Sequence, residues 1–105
     1  MKVIWSIEGR NSYNKELEFI FEKWNINEVE KFIILVDKFV KQLKTGVLKG
    51  KHLFNNNLRS FVISKQTTVF FDYHKDKGLI ELLLFWNNSQ DPKELKKTLS
   101  NTQMS

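Results

Sequence analysis

LLLFWNNSQDPKEL, residues 82–95, changes character in the middle. Leu82 to Trp86 is wholly apolar. The nine positions that follow hold four amides or hydroxyls, three charges, the only proline of the chain and one leucine. A short apolar run bounded by turn-forming residues reads as a strand buried on both faces. Asp91 is placed to cap a helix and Pro92 suits its first turn, so a short helix is expected over 92–99. A strand of this kind belongs in the middle of a sheet, with something packed on each side.

Working outward, Leu58 to Ser64 and Thr67 to His74 alternate as strands do, and Leu79 to Trp86 completes a three-stranded meander. Ser64-Lys65-Gln66 and Lys75-Asp76-Lys77-Gly78 are the turns, the second with the glycine that a tight hairpin favours. Before residue 46 the period is helical. Tyr13, Leu17, Ile20, Phe21 and Trp24 mark an amphipathic helix of about 16 to 18 residues. Ser6 is its expected cap, and Gly9 a tolerated weakness in its first turn. Asn25 to Asn27 break the pattern, and Asn27 with Glu30 reads as a capping box. Val29, Phe32, Ile33, Val36, Phe39, Val40 and Leu43 continue a second helix, which Gly46 terminates. So short a connection makes the two helices an antiparallel hairpin. Val3-Ile4-Trp5 forms a first short strand.

The expected fold is therefore α+β. A small antiparallel sheet, in the order strand-helix-helix-strand-strand-strand, carries the helical hairpin on one face and a short C-terminal helix after it. With 105 residues the chain makes a single domain, residues 1–100, and 101–105 should fray. Hydrophobic residues at 41% and aromatics at 13% exclude a disordered tail. Cysteine is absent, which excludes a disulfide framework and thiolate metal sites. The opening MKVIWSIEGR lacks the apolar stretch of a signal peptide, so the expected location is the cytoplasm. Asn87-Asn88-Ser89 matches a glycosylation sequon, which without an export signal is read as chance.

The net charge of +5 is unevenly placed. Between Asp37 and Asp72 there is no acidic residue, while Lys38, Lys41, Lys44, Lys49, Lys51, Arg59 and Lys65 all fall there. The rest of the chain carries ten basic groups against twelve acidic ones. A concentrated positive field attracts polyanions, although a solvated helix face and a basic loop kept for solubility would produce the same pattern. The residues expected to meet a nucleic acid or another acidic target are Lys44, Lys49, Lys51, Arg59 and Lys65.

Strict alternation puts Leu79, Leu83 and Phe85 on one side of the last strand and Ile80, Leu82, Leu84 and Trp86 on the other. In the strand before it Val69 and Phe71 oppose Phe70. One helical hairpin covers only one face, and each large side chain left wet forgoes about 1.5–3 kcal/mol. The second face, with Phe70, Leu82, Leu84 and Trp86, must be covered by a partner or by the C-terminal helix through Leu95 and Leu99.

Most enzyme chemistries find no footing. There is no GxGxxG, P-loop, HExxH or GxSxG, and two histidines are too few for a metal cluster. No metal or cofactor is expected. His74, at a strand end, reads as a surface residue, and Glu16 and Glu18 as solvation on the first helix. The candidates left for catalysis are Arg59, Lys65 and His52. The fork of Arg59 suits a phosphate or a carboxylate, and Glu81 across the sheet is an alternative partner for it.

Two segments, Leu58-Arg59-Ser60-Phe61-Val62-Ile63-Ser64-Lys65-Gln66-Thr67-Thr68-Val69-Phe70-Phe71 and Ile80 through Pro92, together resemble the RelE/ParE family of bacterial toxins. The likeness is to its Bacteroidetes-type members, in which an LR-x(5)-KQT segment precedes a strand ending in a sequence like FWDNRQDP. The step Trp5-Ser6 into a helix is similar as well. The resemblance implies the toxin of a type II toxin–antitoxin pair, held inactive by a cognate antitoxin that would take Phe70, Leu82, Leu84 and Trp86. It also implies one of two targets: messenger RNA on the ribosome, cleaved as RelE-like toxins do, or DNA gyrase, poisoned as ParE-like toxins do. Two departures bear on the choice. Ser89 and Asp72 stand where related motifs carry arginine. Metal-free RNA cleavage needs cations on the scissile phosphate, and a carboxylate there repels it. The expectation leans to gyrase, with the RNA endonuclease, or a non-toxic relative that only binds, as alternatives.

Overall fold

The computed structural model describes residues 1–53 and 57–104. Strands β1 (Lys2–Trp5), β2 (Lys51–His52), β3 (Leu58–Val62), β4 (Thr67–His74) and β5 (Leu79–Asn87) form one sheet in the order β1-β5-β4-β3-β2. Helices α1 (Ile7–Lys23), α2 (Ile26–Thr45) and α3 (Pro92–Met104) complete the domain. β5 is an interior strand, as its composition requires, with the edge strand β1 on one side and β4, the middle strand, on the other.

The sheet is mixed rather than antiparallel, which corrects one expectation. β3, β4 and β5 alternate in direction, but β1 runs parallel to β5, with Lys2 opposite Leu79 and Trp5 opposite Leu82. The helical hairpin and the first two strands of the meander separate these two strands in sequence, and a parallel pair needs such a long crossover. A second addition is β2, which pairs with β3 through Lys51–Ser60 and His52–Arg59. Only two residues long and fully exposed, it gave no periodic signal and reads from sequence as loop. Its lysine and brevity also suit an edge strand that must not recruit another chain.

Helix α1 starts at Ser6, whose Oγ accepts from the Gly9 N–H at 2.9 Å. Gly9 is a requirement, not a tolerated weakness: a Cβ there would fall on the Leu82 carbonyl oxygen, with the Leu82 carbonyl carbon at 3.0 Å. Its absence lets the first turn of α1 lie directly on β5. The cap of α2 is Asn25, whose Oδ1 accepts from the Glu28 N–H at 3.0 Å, and the Asn27–Glu30 box is not used. The connection is simply shorter than the pattern indicated. Gly46, at φ 77°, ends α2 in the left-handed region as expected. At the far end Asp91 Oδ1 accepts from the Lys93 N–H, and α3 continues past Leu99 to Met104; of the tail expected to fray, Ser105 lies outside the described residues.

A β-bulge decides which side chains share a face. Phe70 is opposite Leu84 while Phe71 is opposite Leu82, leaving Leu83 as the extra residue. Strict alternation therefore fails at Leu83. Ile80, Leu82 and Phe85 join Val69, Phe71, Tyr73 and the buried stripe of α2 in the main core beneath the helical hairpin. Leu83, Leu84 and Trp86 turn to the other face with Leu58 and Phe70.

That second face is closed by the chain itself. Leu95 and Leu99 of α3, with Leu53, pack on the cluster, leaving Phe70 6%, Leu84 4% and Trp86 7% exposed. A partner is thus not needed to keep this face dry, and the C-terminal helix is the cover. Leu82 does not belong to the face at all: it is fully buried under α1 and α2. Among the described residues no helix is long and apolar enough to cross a membrane.

Candidate functional site

The polar cluster after β5 is a knot, not a loose end. Asn88 donates its backbone N–H to the Gln66 carbonyl oxygen at 2.6 Å and its side-chain amide to that of Lys65 at 3.1 Å. Its Oδ1 accepts from Thr68 Oγ1 at 2.9 Å. Asn87 Oδ1 accepts from both the N–H and the hydroxyl of Ser89, at 2.9 and 2.5 Å. Side-chain amides can donate and accept at once, so they satisfy the backbone groups that a turn leaves open. The strand therefore ends on amides because they tie the β3–β4 turn to the exit of β5. The two segments that carry the family resemblance meet here.

Beneath the knot lies a residue whose sequence reading is overturned. Glu16 is 4% exposed, not solvated. Thr67 Oγ1 donates to its Oε2 at 2.5 Å and Asn87 Nδ2 to its Oε1 at 3.2 Å. Burial pushes its carboxyl above the ordinary value of 4.5, and the two hydrogen bonds partly oppose that rise. One turn earlier Ser12 is also buried; its Oγ accepts from the Phe85 N–H at 2.9 Å and donates to the Glu8 carbonyl oxygen at 2.6 Å. That bond occupies a backbone donor of β5 near its bulge. The missed signal was spacing: Gly9, Ser12, Glu16 and Ile20 form the buried stripe of α1 at intervals of three and four, and three of them are not apolar. Glu18 is exposed, as read.

The basic residues are dispersed by the fold. Arg59 faces the α2 side of the sheet, opposite His52 on β2 and Phe71 on β4. Its guanidinium carbon lies 4.6 Å from the centre of the Tyr73 ring, a cation–π stack, and its Nε is buried without a hydrogen-bond partner. Glu81 is not its partner. Glu81 is opposite Asp72, on the other face of the sheet. Lys49 and Lys51 are exposed at the β2 edge, and Lys44 is exposed at the end of α2. Lys65 sits in the β3–β4 turn, past the end of β3 at Val62 and away from Arg59 near its start. His74 Nδ1 lies 3.0 Å from the side-chain amide nitrogen of Asn57. The structure thus brings His52 and Arg59 together near Lys51 and leaves Lys44 and Lys65 apart. Among the described residues no three histidines or carboxylates gather closely enough to hold a metal ion.

Asp72 and Glu81, side by side on neighbouring strands, give the sheet face opposite Arg59 an acidic pair. No family model matches the chain, and neither does any curated protein.

Proposed function

We propose that this chain is the toxin of a type II toxin–antitoxin pair, a cytoplasmic growth inhibitor with a RelE/ParE-like fold that acts on DNA gyrase. The family part of the reading rests on the sequence resemblance. The choice of target rests on one observation. The groups an RNA endonuclease would need are not assembled: Arg59 and His52 lie on the α2 side of the sheet edge, Lys65 lies beyond the far end of β3, and Asp72 with Glu81 puts negative charge on the opposite face. Phosphate cleavage without a metal requires cations and a proton acceptor converging on one phosphate. Binding a protein target requires no such convergence.

A cognate antitoxin is the expected partner. Because Leu95 and Leu99 already cover Phe70, Leu84 and Trp86, an antitoxin reaching those side chains takes the place of α3. The test is direct. Purified chain is added to DNA gyrase and relaxed plasmid, and in parallel to translating ribosomes. Loss of supercoiling or trapped cleaved DNA supports the proposal. No effect on gyrase at large excess, together with cuts in ribosome-bound message that Arg59→Ala abolishes, replaces it with the endonuclease. Neither effect, and no growth arrest on expression, removes both.

A further inference from the structure

A cleft of about 410 Å³ opens between α1, the end of β5 and α3, and Glu16 forms part of its lining. Phe19 is the half-buried aromatic residue of its lining, the buried Phe85 and Trp86 border it, and the exposed Glu8 and Lys15 also line it. A carboxylate has about four lone-pair positions. Thr67 and Asn87 fill two of them, and among the described residues no cation forms an ion pair with Glu16. A buried acid with half its acceptor capacity unused, in a cleft that the Phe19 side chain also lines, matches one chemical group well. Guanidinium is planar, stacks on rings and donates two parallel hydrogen bonds to a carboxylate. We infer that this cleft is a binding site for a guanidinium group, presented as an arginine side chain by a partner polypeptide.

The inference does not rest on the gyrase reading, although the cleft borders the face proposed for the antitoxin, since Leu84 and Trp86 belong to both. Arginine is favoured over lysine because an ammonium is a compact point charge that uses neither the second acceptor position nor the ring faces. The charged groups facing the carboxyl are both on α1, Glu8 favouring a cation and Lys15 opposing it; β4 and β5 face it with Thr67 and Asn87, and α3 lines the cleft with Thr98, all neutral. A bound guanidinium stabilises the ionised acid, so binding should strengthen as pH rises above 4.5 through the raised pKa of Glu16.

The test uses the full chain, labelled with nitrogen-15, and three probes: the blocked tripeptide glycyl-arginyl-glycine, its citrulline counterpart and free arginine. Saturable shifts of the Ser12, Glu16, Asn87 and Ser89 amides are expected with the arginine peptide, with binding about tenfold weaker for the neutral citrulline peptide. Glu16→Gln should abolish the difference between the two peptides. Lys15→Glu leaves the buried network untouched and should tighten arginine binding, so the inference remains testable if Glu16→Gln fails to fold. Equal binding of arginine and citrulline peptides, or no response to either substitution, overturns it. Free arginine binding more tightly than the peptide overturns the polypeptide source.

Discussion

Thr67 Oγ1 and Glu16 Oε2 share a hydrogen bond of 2.5 Å across 51 residues of chain. It joins the middle of α1 to the first residue of β4, and Asn87 extends the link to the last residue of β5. A small polar network thereby positions the helix on the sheet at the end where the motif segments meet.

The network should make stability depend on pH. The carboxyl of Glu16 is raised above 4.5 in the folded protein, so over that window the folded state holds more protons than the unfolded one. Stability contributed by Glu16 is then full below its unfolded pKa and falls as pH rises through its folded pKa. Urea unfolding from about pH 4 to about pH 8 should show this decline in the parent and not in Glu16→Gln. Parallel profiles for the two proteins would refute it.

Two glycines should respond differently to alanine. Gly9→Ala forces a methyl onto the Leu82 carbonyl and separates α1 from β5, for a loss of about 1–3 kcal/mol. Gly46→Ala meets no atom within 4 Å, so its loss comes from the left-handed backbone alone, about 1 kcal/mol. Denaturant midpoints measure both, and Gly9→Ala should be the more damaging.

The two faces of β5 should be separable by truncation. Leu82→Ala opens a cavity in the main core and should lose about 2–5 kcal/mol. Leu95→Ala and Leu99→Ala, each half-buried, should lose about 1–2 kcal/mol and expose the Phe70–Leu84–Trp86 face. Enhanced binding of a hydrophobic dye to the α3 variants, with the main core retained, is the expected readout.

Arg59 packs as well as carries charge. Arg59→Ala should lose about 0.5–2 kcal/mol with the Tyr73 stack, and Arg59→Lys should recover only part of it, since lysine keeps the charge but not the planar fork. Lys51→Ala, at the exposed edge, should stay within about 0.5 kcal/mol of the parent. Thermal unfolding of the three variants orders them.

The sequence by itself determined the helical hairpin, the meander, the interior place of β5 and the glycine stop of α2. Each is a local matter of hydrophobic period, capping or turn chemistry, written within a few residues. Tertiary structure alone decided four things. The bulge at Leu83 depends on the pairing of two strands and reverses the faces of every residue before it. The parallel placement of β1 depends on which edge of the sheet remains vacant after the meander forms. The covering of the second face depends on where α3 folds back. The burial of Glu16 depends on two donors, Thr67 and Asn87, each more than fifty residues away. A carboxylate on a helix carries no local sign of whether such donors will meet it, and so polar residues on a buried stripe read as solvent-facing until the sheet is in place.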